Sequence, residues 1–209
     1  MKTWTRRGFA QLLPAGGLLM AGCSGILPKP PPQAQRYTLD DGAGLQVAPP
    51  GAAGRPVLLV ALPSAAPGYE SQDMVYRRGA GPLQAYAQHG WVDAPARMLA
   101  PLWVRALQAS GSYRAVLMAP SAAAAGLRLE TELLRLSQDY GPGASQLRLS
   151  VRAVLVDTAT RGVVGSLDFD EREPCAAEDA AAGAAAAQRV AWRVAGLLAA
   201  ACTRWTAAR

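Results

Sequence analysis

The sequence is short of the residues that most metal sites and nucleophilic active sites need. Its 209 residues include a single histidine, His89, and three cysteines. One imidazole excludes a multi-histidine metal cluster of the kind that holds catalytic zinc. A serine–histidine–acid set can be written from Ser71, His89 and Asp93, but no Gly-x-Ser-x-Gly segment accompanies it. We therefore expect no enzymatic activity, no catalytic residues, no metal and no cofactor.

Lysine is also scarce, which bears on nucleic-acid binding. Only Lys2 and Lys29 are present, and residues 1–22 hold three of the 21 basic residues and none of the 15 acidic ones. The rest of the chain therefore carries a net charge of only +3, without a basic cluster interleaved with aromatic residues. The glycine-rich residues 79–82 are not followed by Lys-Ser or Lys-Thr, so they do not form a phosphate-binding P-loop. The composition argues against nucleic acid as a partner.

Long hydrophobic runs are missing too, but the N-terminal residues have the order of an export signal. Basic residues precede an apolar segment at 12–20, and two small residues follow it. The segment is too short, and too interrupted by proline and glycine, to span a bilayer as a permanent helix. Residues 20–23, Met-Ala-Gly-Cys, resemble the lipobox of bacterial lipoproteins. We predict a lipoprotein signal peptide at 1–22 and lipidation of Cys23.

The segments around Cys23 predict the export route, the destination and a tether. Residues 5–9, Thr-Arg-Arg-Gly-Phe, resemble a twin-arginine export motif, and an ordinary signal that happens to hold two arginines is the alternative. Ser24 resembles an outer-membrane address, so we expect the lipid on Cys23 to hold the protein at the periplasmic face of the outer membrane. Four prolines make residues 23–35 a tether of about 3.1 Å per residue in polyproline II. The folded domain is expected at 36–209.

Two further cysteines, Cys175 and Cys202, leave two alternatives open. The periplasm is oxidising, which favours a disulfide between them. The bridge would join the start of the last helical region to its far end, so Cys175 would need to lie on an extended segment that folds back over the helix. The other alternative is a pair of inert buried thiols.

The hydrophobic pattern predicts both strands and helices. The predicted strands lie at 36–39, 56–62, 74–77, 84–87, 113–118, 127–133, 147–155 and 163–169, and the helices at 93–108 and 180–205. The last three strands alternate apolar and polar residues, which predicts an antiparallel meander with one solvated face. In the first helix Asp93 is expected to be the N-cap, and Pro101 to kink the helix or shift its start. In the second, Trp192 lies opposite the apolar stripe, so it packs under a loop or contacts a partner or a second copy.

Several short motifs occur in an order that resembles a known family. They are residues 36–39 (Arg-Tyr-Thr-Leu), 74–77 (Met-Val-Tyr-Arg), 86–87 (Tyr-Ala), 91–95 (Trp-Val-Asp-Ala-Pro) and 98–99 (Met-Leu). With the meander and the alanine-rich last helix, they resemble the ABC-type transport auxiliary lipoproteins, the PqiC-like lipoproteins. The resemblance implies a single α/β domain of the α+β type, a mostly antiparallel sheet with two main helices packed on one face.

The same resemblance implies a function and partners. It implies an auxiliary component of an MCE-type ABC transporter for intermembrane lipid transport, with an MCE-domain protein and an inner-membrane permease and ATPase as partners. The role implied is docking and positioning. The alternatives are a lipid carrier that holds its ligand or an outer-membrane assembly lipoprotein, and more remotely a periplasmic hydrolase. We also expect a homo-oligomer, since symmetric oligomers are common.

Overall fold

The computed structural model describes residues 33–39 and 54–208. Cys23, the predicted signal peptide and most of the predicted tether lie outside these residues. The strands are β1 (Gln35–Tyr37), β2 (Val57–Val60), β3 (Ser64–Ala65), β4 (Asp73–Arg78), β5 (Leu83–Trp91), β6 (Ala115–Met118), β7 (Leu127–Tyr140), β8 (Gln146–Asp157) and β9 (Val163–Pro174). The helices are α1 (Pro95–Ala109) and α2 (Ala180–Ala207).

The sheet is organised around β7. On one side β7 pairs antiparallel with β8 over nearly its whole length, and β8 pairs antiparallel with β9 at the edge. On its other side β7 pairs parallel with β2, β3 and β4 in turn. The sheet continues through β6 beyond β2, and through β5 and β1 beyond β4. It is therefore a mixed sheet in which the longest ladders are antiparallel, and the expected fold class is confirmed.

The meander predicted from residues 127–169 is confirmed, and its strands are longer than predicted. The apolar positions of β8 are fully buried because they face the helices, whereas Arg148 and Arg152 point to the opposite, open face. A bulge in β7 between Leu133 and Arg135 shifts the alternation by one residue. As a result Leu136 is buried as well as Leu133.

Both helices pack on the same face of the sheet and against each other. The apolar stripe predicted for α1 is buried. That of α2 is buried at residues 190, 194, 198 and 201, whereas Leu197 is exposed and Trp205 is half-buried. Asp179 is the N-cap of α2, where its carboxylate accepts a hydrogen bond from the Ala182 amide at 2.8 Å. The largest fully buried side chains include Trp91, Trp103 and Leu99, which fill the space between α1 and the sheet.

Three local predictions differ from the structure. β5 was predicted to end at residue 87, but residues 88–91 extend it, because β1 and β4 pair with this segment from both sides. The N-cap of α1 is Ala94 and not Asp93, because the Asp93 carboxylate pairs with the Arg97 guanidinium one turn further on. The helix starts at Pro95 and continues through Pro101, whose side chain is exposed.

Candidate functional surfaces

β1 is the first described strand, and it begins at residue 35, where the predicted tether ends. β1 is an edge strand that pairs parallel with the end of β5, with Gln35 opposite His89. β5 runs antiparallel to β4, and β4 runs parallel to β7. The N-terminal end of β1 therefore points towards the end of the sheet that carries the β4–β5 and β7–β8 turns.

The three residues of the serine–histidine–acid set each bond to another residue. The Ser71 hydroxyl donates to the Asp73 carboxylate at 2.9 Å. His89 lies in β5, where its Nδ1 is 3.2 Å from the Tyr37 hydroxyl and its ring stacks on the Tyr37 ring. Asp93 pairs with Arg97. No hydrogen bond links Ser71 to His89 or His89 to Asp93 in the described residues, so the three do not form a hydrogen-bonded catalytic set. Among the residues that the structure describes, no three His, Cys, Asp or Glu side chains converge on a point that could hold a metal.

The thiols of Cys175 and Cys202 are free and buried in different parts of the domain. Cys175 follows β9, where its backbone amide donates to the Ser145 carbonyl at 2.9 Å. Cys202 lies near the end of α2, and burial raises the pKa of its thiol to about 12. The disulfide considered from the sequence is not formed, because most of α2 separates the two sulfur atoms. The alternative of two buried thiols describes the structure.

Trp192 lies half-buried against the core between the two helices. The Arg105 guanidinium of α1 stacks over its ring, 4.8 Å from the ring centroid. Its indole Nε1 is buried without a hydrogen-bond partner among the described residues. Among the described residues, the tryptophan is covered by an arginine of the neighbouring helix.

The open face of the sheet carries a ladder of ion pairs, as the alternating charges predicted. The Arg148 guanidinium is 2.6 Å from the Asp170 carboxylate, and Arg152 pairs with Asp168 at 3.0 Å and with Glu132 at 3.5 Å. The Arg148 side chain and then the Ser150 hydroxyl hold the pKa of Asp170 at about 2. These acidic groups stabilise the sheet face, which explains why they alternate along β9.

A cluster of tyrosines at the meeting point of β4, β5 and β7 was not predicted. The rings of Tyr76 and Tyr86 are 4.6 Å apart, and the Tyr86 hydroxyl bonds both the Tyr140 hydroxyl and the Gln138 side-chain oxygen. Gln138 is fully buried and donates to the Ser145 hydroxyl at 2.9 Å. Burial, with the bond to Tyr140, holds the pKa of Tyr86 well above its usual range. Sequence periodicity could not reveal the cluster, because the bulge in β7 changes which residues face the helices.

The tyrosine cluster is bordered by a cation at the end of β4. The Arg78 guanidinium lies 4.7 Å from the centroid of the Tyr140 ring and 5.5 Å from that of Tyr76. On the other side, the ring of His89 meets the Tyr86 ring edge-on at 6.0 Å. The half-buried rings and the arginine make this a rigid, amphipathic surface of the kind that suits contacts with other molecules.

Comparison with known proteins identifies the family. Residues 37–199 match the family model of the ABC-type transport auxiliary lipoprotein component. No curated protein matches the chain. A crystal structure of a protein from Xanthomonas campestris is 27% identical, with a TM-score of 0.67 over 84% of this chain and 96% of that one.

Two further solved structures share the fold at lower identity. An uncharacterized protein is 11% identical with a TM-score of 0.62, over 80% of this chain and 97% of that one. A hypothetical protein from Chlamydia trachomatis is 10% identical with a TM-score of 0.54, over 74% of this chain and 99% of that one. In the part of the chain described by the structure, no helix has the length and hydrophobicity needed to cross a bilayer. The match of the family model to residues 37–199 shows that the chain belongs to the family of ABC-type transport auxiliary lipoprotein components.

Proposed function

We propose that this protein is an outer-membrane lipoprotein that docks an MCE-type ABC transporter for lipid transport between the two membranes. The match of residues 37–199 to an ABC transport auxiliary lipoprotein carries the proposal. Its partners would be an MCE-domain protein and an inner-membrane permease and ATPase. The lipid on Cys23 anchors the domain, and the proline-rich tether lets the domain reach towards the transporter.

The packing of the domain favours docking over the alternative of a lipid carrier. A carrier needs a large apolar cavity, and the natural place for one is the space between the sheet and the helices. Fully buried large side chains fill that space, among them Leu102, Trp103 and Leu155. A filled core supports a role in which the protein contributes surfaces and an anchor.

Affinity capture tests the docking role. The full-length lipoprotein would be captured from membranes solubilised in a mild detergent, and the co-purifying proteins identified by mass spectrometry. We expect an MCE-domain protein with its permease and ATPase. Recovery of the lipoprotein without any of these components would contradict the proposal. Light scattering of the same sample would report whether the lipoprotein is a homo-oligomer.

The anchor has a separate test. In Cys23→Ser the lipid cannot be attached, so we expect the protein to leave the outer-membrane fraction and to appear in the periplasm or as an uncleaved precursor. Density-gradient fractionation of the two membranes, followed by immunoblotting, measures this. Unchanged outer-membrane fractionation of Cys23→Ser would contradict lipid anchoring, whatever the capture experiment shows.

Trp192 stays our proposed partner contact, and α2 offers a matched control. Trp205 is also half-buried on α2, and its indole packs closely over Gly165. We expect both Trp192→Ala and Trp205→Ala to lower the free energy of unfolding, because each removes an aromatic ring from the core. Loss of partner capture in Trp192→Ala alone would support the contact. Equal capture by the two variants would contradict it.

A further inference from the structure

A cleft on the surface of the domain lies beside the β7–β8 turn. Its volume is about 460 Å³, within the range of about 300–1,000 Å³ that is usual for ligand sites. Four strands supply its arginines: Arg77 from β4, Arg135 from β7, Arg148 from β8 and Arg172 from β9. The turn residues at its rim are glycine, proline and alanine, so no large side chain of the turn closes the cleft. We refer to it as the arginine cleft.

Three of these four arginines have no ionic partner. The Arg148 guanidinium is neutralised by Asp170. Within residues 33–39 and 54–208, the guanidinium groups of Arg77, Arg135 and Arg172 make neither an ion pair nor a hydrogen bond. Arg77 and Arg135 are half-buried, so part of their hydration is lost without a protein group that replaces it. An anion in the cleft would compensate this cost.

The acidic groups near the cleft do not cancel its charge. Asp139 lines the cleft and lies opposite Arg77 in the β4–β7 register. Its carboxylate accepts a hydrogen bond from the Ser137 hydroxyl at 2.8 Å and forms no ion pair with the arginines. Asp170 is already bound by Arg148 and Ser150. Two carboxylates, Asp139 and Asp170, therefore face four guanidinium groups, and only that of Arg148 lies within ion-pair distance of one of them.

From this arrangement we infer that the arginine cleft is a binding site for a phosphate group. A guanidinium presents its N–H groups as a planar fork, which matches two oxygens of a phosphate and holds it more specifically than a point charge does. The three guanidinium groups come from strands of one sheet. The backbone that carries them is therefore already ordered, and binding costs little conformational entropy. The phosphate belongs either to a lipid headgroup or to a free, water-soluble compound.

The proposed lipid anchor makes a phospholipid headgroup one candidate source of the phosphate. The arginine cleft lies at the end of the sheet with the β7–β8 turn, and the N-terminal end of β1 points to this same end. The lipid proposed on Cys23 would keep the domain at a membrane, where phospholipid headgroups are abundant. This site goes beyond the docking role, and its test needs no transporter.

Calorimetric titration of the full-length lipoprotein in neutral detergent micelles tests the inference. In one arm inorganic phosphate is added at low ionic strength. In the other, phosphatidylglycerol is added to the micelles, with phosphatidylcholine as the comparison lipid. We expect saturable binding in at least one arm, weakened by added salt because screening reduces the attraction between charges. Binding of free phosphate identifies a soluble ligand, and binding of phosphatidylglycerol alone identifies a lipid headgroup.

Matched variants connect the binding to the cleft. The double variant Arg77→Gln/Arg135→Gln removes two guanidinium groups from the cleft. We expect the affinity for phosphate to fall by about tenfold or more, because each lost charge-assisted hydrogen bond weakens binding. Arg114→Gln is the control, because Arg114 is exposed before β6, at the opposite end of the sheet, and has no side-chain partner among the described residues.

Two outcomes would overturn the inference. The first is the absence of saturable binding by the unmodified protein in both arms. The second is equal binding by the double variant and by Arg114→Gln. If the double variant does not fold, as judged by circular dichroism, the exposed Arg172→Gln takes its place, and unchanged binding by that variant counts against the site in the same way.

Discussion

Two glycines of α2, Gly183 and Gly196, differ in whether the space around them can hold a side chain. A Cβ at Gly183 would lie 2.2 Å from the side-chain oxygen of the buried Gln138 and 3.0 Å from Met74. A Cβ at Gly196 would meet nothing within 4 Å. The same helix therefore contains one glycine that close packing requires and one that it does not.

This difference predicts effects of opposite sign on stability. We expect Gly183→Ala to lower the free energy of unfolding by about 1–3 kcal/mol, because Gln138 must move and lose its hydrogen bonds. Gly196→Ala is the control, and it should raise the free energy of unfolding by up to about 1 kcal/mol, the usual gain in helix propensity. Urea denaturation of both variants measures this. Stabilisation by Gly183→Ala would show that the close contact with Gln138 is wrong.

The buried thiols predict a chemical result at the residue scale. Burial raises the pKa of Cys175 above its ordinary value and that of Cys202 to about 12, so both remain protonated at neutral pH. We expect neither to react with iodoacetamide in the native protein, and both to react in denaturant without a reducing agent. Mass spectrometry of the labelled protein counts the modified cysteines. A requirement for reductant before labelling would reveal the disulfide that the structure does not contain.

At the scale of elements, β7, β8 and β9 combine a buried apolar face with an open charged one. The alternation of residues along these strands made that division predictable. Two further features of the elements were not predictable in this way. The bulge in β7 and the extension of β5 to Trp91 depend on which strands lie alongside, and the local pattern does not contain that information.

The ion pairs of the open face predict a dependence of stability on pH. The folded-state pKa of Asp170, about 2, is below its ordinary value of 3.8. The ionised carboxylate therefore stabilises the fold above about pH 4, and this contribution is lost as the pH falls from there towards 2. Asp170→Asn should cost about 0.5–1 kcal/mol at pH 7, since the pair is partly exposed and screened.

The measurement is urea denaturation of Asp170→Asn and the unmodified protein at several pH values. The difference between them should shrink below pH 4. Glu130→Gln is the control, because Glu130 pairs with Arg128 at 2.8 Å on the open face but is more exposed than Asp170. A pH-independent difference for Asp170→Asn would contradict the role of its carboxylate.

At the scale of the whole molecule, one strand connects both halves of the sheet. β7 has paired neighbours on both sides for most of its length, while β1 holds three residues at an edge. We expect amide hydrogen exchange to be slowest in β7 and β8 and fastest in β1, because exchange in β7 requires several strands to separate. Mass spectrometry of peptides from exchanged protein measures the rates. Equal protection of β1 and β8 would contradict this order.

The sequence by itself determined the strand alternation, both helices and the family, and it predicts the anchor at Cys23. Each of these depends on residues close together in the chain, so a local pattern is sufficient to specify it. Only the tertiary structure decided that Cys175 and Cys202 remain apart, that three tyrosines form a cluster and that four arginines surround one cleft. Those arginines come from four strands, which become neighbours only when β4, β8 and β9 assemble with β7 into one sheet.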